Sequence, residues 1–171
     1  MYHRTLLTIF ISAMLLVTQT HAQMAMVQRM DLSLGSDRKL LAEWLLKQGF
    51  TFDSGSQETT RQMAMGISMV MEKTLYGETY LNNAGNIRVR MFTDTVFRIV
   101  QTQVQLAHPV VNEGNNFITA LKTIGYSESS RYVNRRDNTR NCLLSKDNRL
   151  FTVVESDQSG YLLIKASIKS P

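Results

Sequence analysis

One helical pattern occurs twice in this chain, and that repetition constrains the fold more than any other feature of the sequence. A Leu-x3-Leu-x3-Gly-Phe pattern at residues 41–50 recurs as Phe-x3-Leu-x3-Gly-Tyr at residues 117–126, displaced by 76 positions. Apolar residues four positions apart share one face of a helix, and a glycine after the last turn suits a left-handed C-cap. We therefore predict two helices that each bury one face, with Ser36 and Asn115 or Asn116 as N-caps.

Strand-type sequence follows each predicted helix. In the first half, apolar and polar residues alternate over Ile87–Met91 and, after a turn, over Val96–Leu106. In the second half, Asp147-Asn148 separates two further runs, and a last run covers Tyr161–Ile168. Alternation is typical of a half-buried strand, and Asp-Asn at a two-residue turn tolerates positive φ. Helices followed by several short strands, without strand–helix–strand alternation, indicate an α+β protein with an antiparallel sheet.

The predicted architecture is two helix-plus-antiparallel-meander units in tandem, with the helices packed on the antiparallel sheet. We assign the related halves to residues 36–106 and 114–168 of a single domain, 36–171, because each half is small for an independent core. Residues 23–35 are interpreted as an exported N-terminal tail. The doubled plan resembles, in architecture, the tandem-repeat secreted inhibitors of the β-lactamase-inhibitor type. The cysteines that pin those proteins are missing here, so the resemblance is one of architecture and assigns no residue a role.

Residues 1–22 have the organisation of a secretory signal peptide. Met1–Arg4 carries a positive charge, Leu6–Val17 is mostly apolar, and Thr20–Ala22 places small residues where a signal peptidase reads them. The apolar run is shorter than the roughly 20 residues of a membrane-spanning helix. We therefore predict cleavage before Gln23, a periplasmic or secreted location, and no transmembrane segment in the mature chain. The absence of an Asn-x-Ser/Thr sequon fits a bacterial envelope.

Several kinds of catalytic site lack their usual residues. His108 is the one histidine after the predicted signal peptide, and Cys142 is the one cysteine of the chain. A Ser-His-Asp triad would need His108, which precedes Pro109 in a predicted loop, and one His with one Cys cannot assemble a usual zinc site. No phosphate-binding glycine loop is present. We expect a non-enzymatic protein without a cofactor, and a hydrolase with a carboxylate pair is kept as an alternative.

Methionines recur at alternate positions in one segment. On a single strand, four of them would share a face, namely Met63, Met65, Met69 and Met71. Thioether sulfur is a soft ligand that suits Cu(I), so a periplasmic Cu(I)-binding protein is a second alternative. Flexible apolar packing beneath a helix explains the same pattern without a metal.

Positive charge concentrates in the second half of a chain whose net charge is +5 at pH 7. The arginines of this predicted basic hairpin face are Arg131, Arg135, Arg136, Arg140 and Arg149. Such a face attracts another envelope protein or an anionic envelope component, although an ordinary solvated face has the same composition. Nucleic acid is not an expected partner, because the chain is exported and Tyr132 is the one aromatic residue among these arginines. The sequence therefore predicts an exported, non-enzymatic binding protein.

Overall fold

The computed structural model describes residues 22–63, 70–110, 112–156 and 160–169. The helices are α1 (22–33), α2 (Arg38–Lys47) and α3 (Glu113–Thr123). The strands are β1 (Phe50–Met63), β2 (Val70–Asn82), β3 (Ile87–Thr93), β4 (Ile99–Ala107), β5 (Ser127–Asn134), β6 (Thr139–Lys146), β7 (Arg149–Ser156) and β8 (Tyr161–Ile168). Most of the predicted signal peptide therefore lies outside the described residues. Among the helices within those ranges, none is long and apolar enough to cross a membrane.

The eight strands form one antiparallel sheet in the order β1-β2-β3-β4-β8-β7-β6-β5. Each half contributes a four-stranded meander that follows its own helix, and the two meanders join where β4 pairs with β8. At that junction Val104 lies opposite Ile164, and both are buried. The predicted α+β fold with helices packed on an antiparallel sheet is confirmed, and the two halves share a single sheet.

The helices end where the glycine pattern predicts, although they begin at other residues. Gly49 and Gly125 follow the C-caps of α2 and α3 with φ of 81° and 94°, a conformation that residues with a Cβ adopt only under strain. The N-cap of α2 is Asp37, whose carboxylate accepts a hydrogen bond from the Lys39 amide, rather than Ser36. Helix α3 begins at Glu113, ahead of the predicted Asn115 or Asn116. Neighbouring polar residues compete for the N-cap, so this boundary is weakly specified by sequence.

One face of the sheet packs against the helices and forms the core. Along β8, Leu162, Ile164 and Ala166 are buried, whereas the intervening Leu163 and Lys165 are only half-buried. The buried residues of both halves belong to a single hydrophobic cluster. Because each fully buried aliphatic side chain contributes roughly 1.5–3 kcal/mol, a shared cluster couples the stability of the halves.

Residues 23–35 are not a tail. Residues 22–33 form α1, in which Val27 and Met30 are buried in the common core. Leu34, just after the helix, is buried as well. These apolar residues lie at i, i+3 and i+7, which places them on one side of the segment. The sequence interpretation missed this pattern because it is short and adjoins the predicted signal peptide.

The hairpin of β1 and β2 is longer than the sheet that it joins. The β2–β3 pairs end at Tyr76 and Thr93, while the β1–β2 pairs continue to Met63 and Val70. The prediction that Met63 and Met71 lie on one strand is therefore wrong, because Met63 ends β1 and Met71 belongs to the antiparallel strand β2. Met65 and Met69 lie outside the described residues.

Candidate functional site

The turn between β5 and β6 presents two exposed arginines, Arg135 and Arg136, which we call the basic turn. A side-chain hydrogen bond closes the start of the turn, since the Asn134 side-chain oxygen accepts from the Arg136 amide at 3.1 Å, and Asn138 at its end adopts a φ of 51°. Within the described ranges, no carboxylate lies at ion-pair distance from either arginine. Both arginines are therefore exposed on this turn, without an ion-pair partner among the described residues.

Arg131 lies on the same hairpin, but its charge is engaged within the protein. Its guanidinium donates to the Glu128 carboxylate at 3.0 and 3.2 Å, and the Lys122 ammonium donates to that carboxylate at 2.8 Å. The hydrogen bonds from Arg131 and Lys122 lower the pKa of Glu128 to about 2. The thiol of Cys142 is buried below, and burial raises its pKa.

Arg140 is also paired, with Glu155 of β7 at 3.4 Å. The Glu155 carboxylate lies against the backbone of Gly114 in the first turn of α3, where an added Cβ would approach it to 3.3 Å. A carboxylate at a helix N-terminus is stabilised by the helix dipole. Gly114 thus permits the close approach, and Glu155 connects α3 to Arg140.

Arg149 does not belong to the basic hairpin face. It lies opposite Lys146 at the far end of the β6–β7 pair, roughly 20 Å along the sheet from Arg140. Its guanidinium donates to the backbone oxygen of Asp31 at 2.7 Å and also to the Asp31 carboxylate. The hydroxyl of Tyr126 donates to that carboxylate at 2.6 Å, and burial together with Asp31 raises the pKa of Tyr126. Arg149 therefore joins α1 to the second half.

A groove lies between α3 and β5, beside the paired Arg131 and Arg140. Its volume is about 360 Å³. The residues that line it are Gly114, Asn115, Ile118, Arg131, Tyr132, Val133, Arg140, Asn141, Cys142, Val153 and Glu155. The buried Ile118, Cys142 and Val153 give it an apolar floor, while the arginines and Glu155 make it polar elsewhere. The α3 side of this groove was not predicted from the sequence, because its residues and those of β5 come together only in the folded protein.

The sheet face opposite the helices carries a second group of cations. In the strand register, Arg90 lies opposite Gln103, and Gln103 lies opposite Lys165. Arg88 and Arg90 line a polar concavity of about 390 Å³ together with Thr79. Arg90 is within 3.5 Å of Glu58. The alternation of arginine with Ile87, Val89 and Met91 predicted the strand, and it could also have indicated this cationic face.

His108 is not among the residues that line the groove, whereas Cys142 is part of its floor. His108 is exposed in the loop after β4, and its backbone amide donates to the Gly160 oxygen at 2.8 Å. In the part of the chain that the structure describes, no group of three or more His, Cys, Asp or Glu side chains could hold a metal ion. The Cu(I) site that needs Met65 and Met69 stays a prediction.

Comparisons with known proteins identify no relative. No protein-family model, curated protein or solved structure matches the chain. Any functional inference therefore depends on the geometry of the surface.

Proposed function

We propose that the protein is an exported, non-enzymatic binding protein of a bacterial periplasm or cell envelope, and that the basic turn engages an anionic partner. One observation supports this most strongly. Of the five arginines in the predicted face, Arg131, Arg140 and Arg149 have carboxylate partners within the protein, whereas Arg135 and Arg136 have none among the described residues. Within the predicted face, the positive charge available to a partner is therefore that of these two arginines.

Arginine suits this role for physical reasons. A guanidinium is planar, always charged and weakly hydrated, and it donates two parallel hydrogen bonds to a carboxylate or a phosphate. A turn whose backbone is already hydrogen-bonded loses less conformational entropy on binding than a loop without such bonds. A positive protein surface also accelerates encounter with an anionic partner.

The inventory of reactive groups supports a binding role over catalysis. Cys142, the one cysteine of the chain, is buried, and burial raises the pKa of its thiol, which opposes formation of the reactive thiolate. The exposed His108 lies in a separate loop from the basic turn. The proposed export depends on the signal-peptide pattern of residues 1–22.

The test is affinity capture with a matched control. Tagged, exported protein is cross-linked in envelope extract as wild type, as Arg135→Ser/Arg136→Ser, and as Lys39→Ser/Lys47→Ser, which removes two exposed cations from α2. In parallel, the three proteins are sedimented with vesicles of neutral lipid or with added anionic lipid. We expect the arginine variant to lose about tenfold in partner retention, equivalent to about 1.4 kcal/mol, with its melting temperature unchanged.

The extract and vesicle experiments together distinguish a protein from a lipid as the source of the anionic groups. Loss confined to the extract indicates a protein partner, and loss confined to anionic vesicles indicates lipid. Equal retention by wild type and the arginine variant in both arms would contradict the proposal. An equal loss of partner retention in Lys39→Ser/Lys47→Ser would also contradict the proposal, because the effect would then come from net charge alone.

A further inference from the structure

We propose that β5 accepts an extended, acidic segment of a partner protein as a ninth strand of the sheet. This rests on the proposed function, because the basic turn supplies the attraction for the acidic residues of that segment. It goes further by naming the shape of the ligand and the backbone that binds it.

The first observation is the position of β5 in the sheet. It is the last strand in the sheet order, and β6 is its one strand neighbour among the described residues. All of its residues except the last are exposed. In an antiparallel pair, alternate residues direct their N–H and C=O groups away from the neighbouring strand. The outer edge of β5 therefore offers backbone donors and acceptors to an added strand.

The register identifies the usable part of this edge. A β-bulge interrupts the pairing between Glu128 and Ser130, and bulges hinder continuation of a sheet at that point. From Ser130, opposite Leu143, to Asn134, opposite Thr139, the pairing is uninterrupted. This regular stretch ends directly at the basic turn.

The groove provides space for alternate side chains of the added segment. Helix α3 packs mainly on β6 and β7 and reaches the start of β5 through the Lys122–Glu128 ion pair, while the later residues of β5 remain exposed. Val133 is 58% exposed there and borders the groove, whose floor contains Ile118 and Val153. Side chains of a strand alternate between its faces, so every second residue of the segment would lean over this groove. Aliphatic residues at those positions match the apolar floor.

The charges around this edge favour an acidic segment over a second copy of the chain. A second copy of the chain, paired antiparallel through β5, would bring each basic turn toward the Lys122 and Arg131 side chains of the other copy. Those cations already share a single carboxylate, Glu128, so the contact would repel. An acidic segment places its carboxylates beside Arg135 and Arg136 and avoids this repulsion.

The experiment uses a defined probe, a fluorescein-labelled peptide of alternating valine and glutamate, with full-length exported protein. Binding is measured by fluorescence anisotropy, and protection of backbone amides by hydrogen exchange. We expect binding to protect amides within Ser130–Asn134. A peptide that is N-methylated at alternate backbone nitrogens, or that carries lysine in place of glutamate, should bind at least tenfold more weakly.

Val133→Asp tests the edge, and Val96→Asp is its matched control. Val96 is 67% exposed in the β3–β4 turn, so both variants place a carboxylate on exposed surface and should fold. We expect Val133→Asp to weaken peptide binding at least tenfold, because it removes an apolar contact and repels the glutamates, and Val96→Asp to leave binding unchanged. No binding by the wild type, equal binding of the N-methylated peptide, or protection at β1 in place of β5 would overturn the proposal. A wild-type dimer that Val133→Asp dissociates would overturn it in favour of a second copy.

Failure of this inference can be distinguished from failure of the proposed function. If Arg135→Ser/Arg136→Ser loses the envelope partner while Val133→Asp retains it, the edge-strand inference is wrong and the basic turn still binds. If the arginine variant retains the partner, the proposed function is wrong, whatever the peptide does.

Discussion

The half that contains α2 and β1–β4 and the half that contains α3 and β5–β8 are alike at the core and different at the outer edges of the sheet. Leu45 and Leu121 occupy equivalent positions in the helical pattern, and both are fully buried. At the edges, β1 and β2 extend past the sheet as a long hairpin, whereas β5 ends after eight residues at the basic turn. The repeated residues build the core, and the residues that differ between the halves form the exposed edges.

Truncation of either of the two equivalent leucines should have the largest effect on the free energy of unfolding. We expect Leu45→Ala and Leu121→Ala each to lower the free energy of unfolding by about 2–5 kcal/mol, since each leaves a cavity in the common core. Urea unfolding followed by Trp44 fluorescence and by circular dichroism should give a single transition in both variants. Leu40→Ala, at an exposed position of α2, should change little. If Leu121→Ala leaves the transition at Trp44 unmoved, the halves unfold independently.

The next test concerns a contact that one half has and the other lacks. Tyr126 follows the glycine of α3 and bonds Asp31, whereas Phe50, at the equivalent position after α2, has no hydroxyl. Asp31→Asn weakens the bonds to Tyr126 and Arg149, so we expect it to cost about 1.5–3 kcal/mol by chemical denaturation. Tyr126→Phe, which removes a single hydroxyl, should cost less. An Asp31→Asn variant as stable as wild type would show that α1 is held by apolar packing alone.

Substitution of the helix-ending glycines should have a smaller effect of similar size in both halves. Gly49→Ala and Gly125→Ala place a Cβ at φ of 81° and 94°, and we expect each to destabilise the protein by about 1–2 kcal/mol. Asparagine tolerates this conformation better, so Gly125→Asn should recover much of the loss. Thermal unfolding of the three variants provides the measurement. Equal melting temperatures for Gly125→Ala and Gly125→Asn would contradict the backbone explanation.

The smallest effect concerns the exposed Glu128 cluster of the second half. Because its pKa falls from 4.5 to about 2 on folding, Glu128 stabilises the protein above pH 4.5 and loses that contribution as the pH falls toward 2. The melting temperature of wild type should exceed that of Glu128→Gln at pH 7, and the gap should close near pH 2. Glu43→Gln on α2, where no ion pair is present among the described residues, is the control. A gap that stays constant with pH would rule out ionisation of Glu128 as its cause.

Local sequence patterns predicted the helices, strands and turns that depend on interactions between residues close in the chain. The spacing of Leu41 and Leu45 identified α2, and alternation located β8 at Tyr161–Ile168, the bounds that the structure shows. The Asp147-Asn148 turn is also present, with Asp147 at a φ of 52°. Helix α1 was not predicted, because its few apolar residues form a recognisable pattern only once the core against which they pack is known. The groove was not predicted, because α3 and β5 form it together only in the folded protein.

The sequence by itself determined which residues of α2, α3 and β8 face the core, where two helices end, and that the strands form antiparallel meanders. These properties follow from side-chain periodicity and from the conformational freedom of glycine, which act over a few residues. The tertiary structure alone decided which arginines are available to a partner. Arg149 is paired with Asp31, 118 positions away in the chain, and Arg140 with Glu155 across the β6–β7 pair. Ion pairing depends on distance in space, so five arginines that look equivalent in sequence become three engaged within the protein and two exposed at the basic turn.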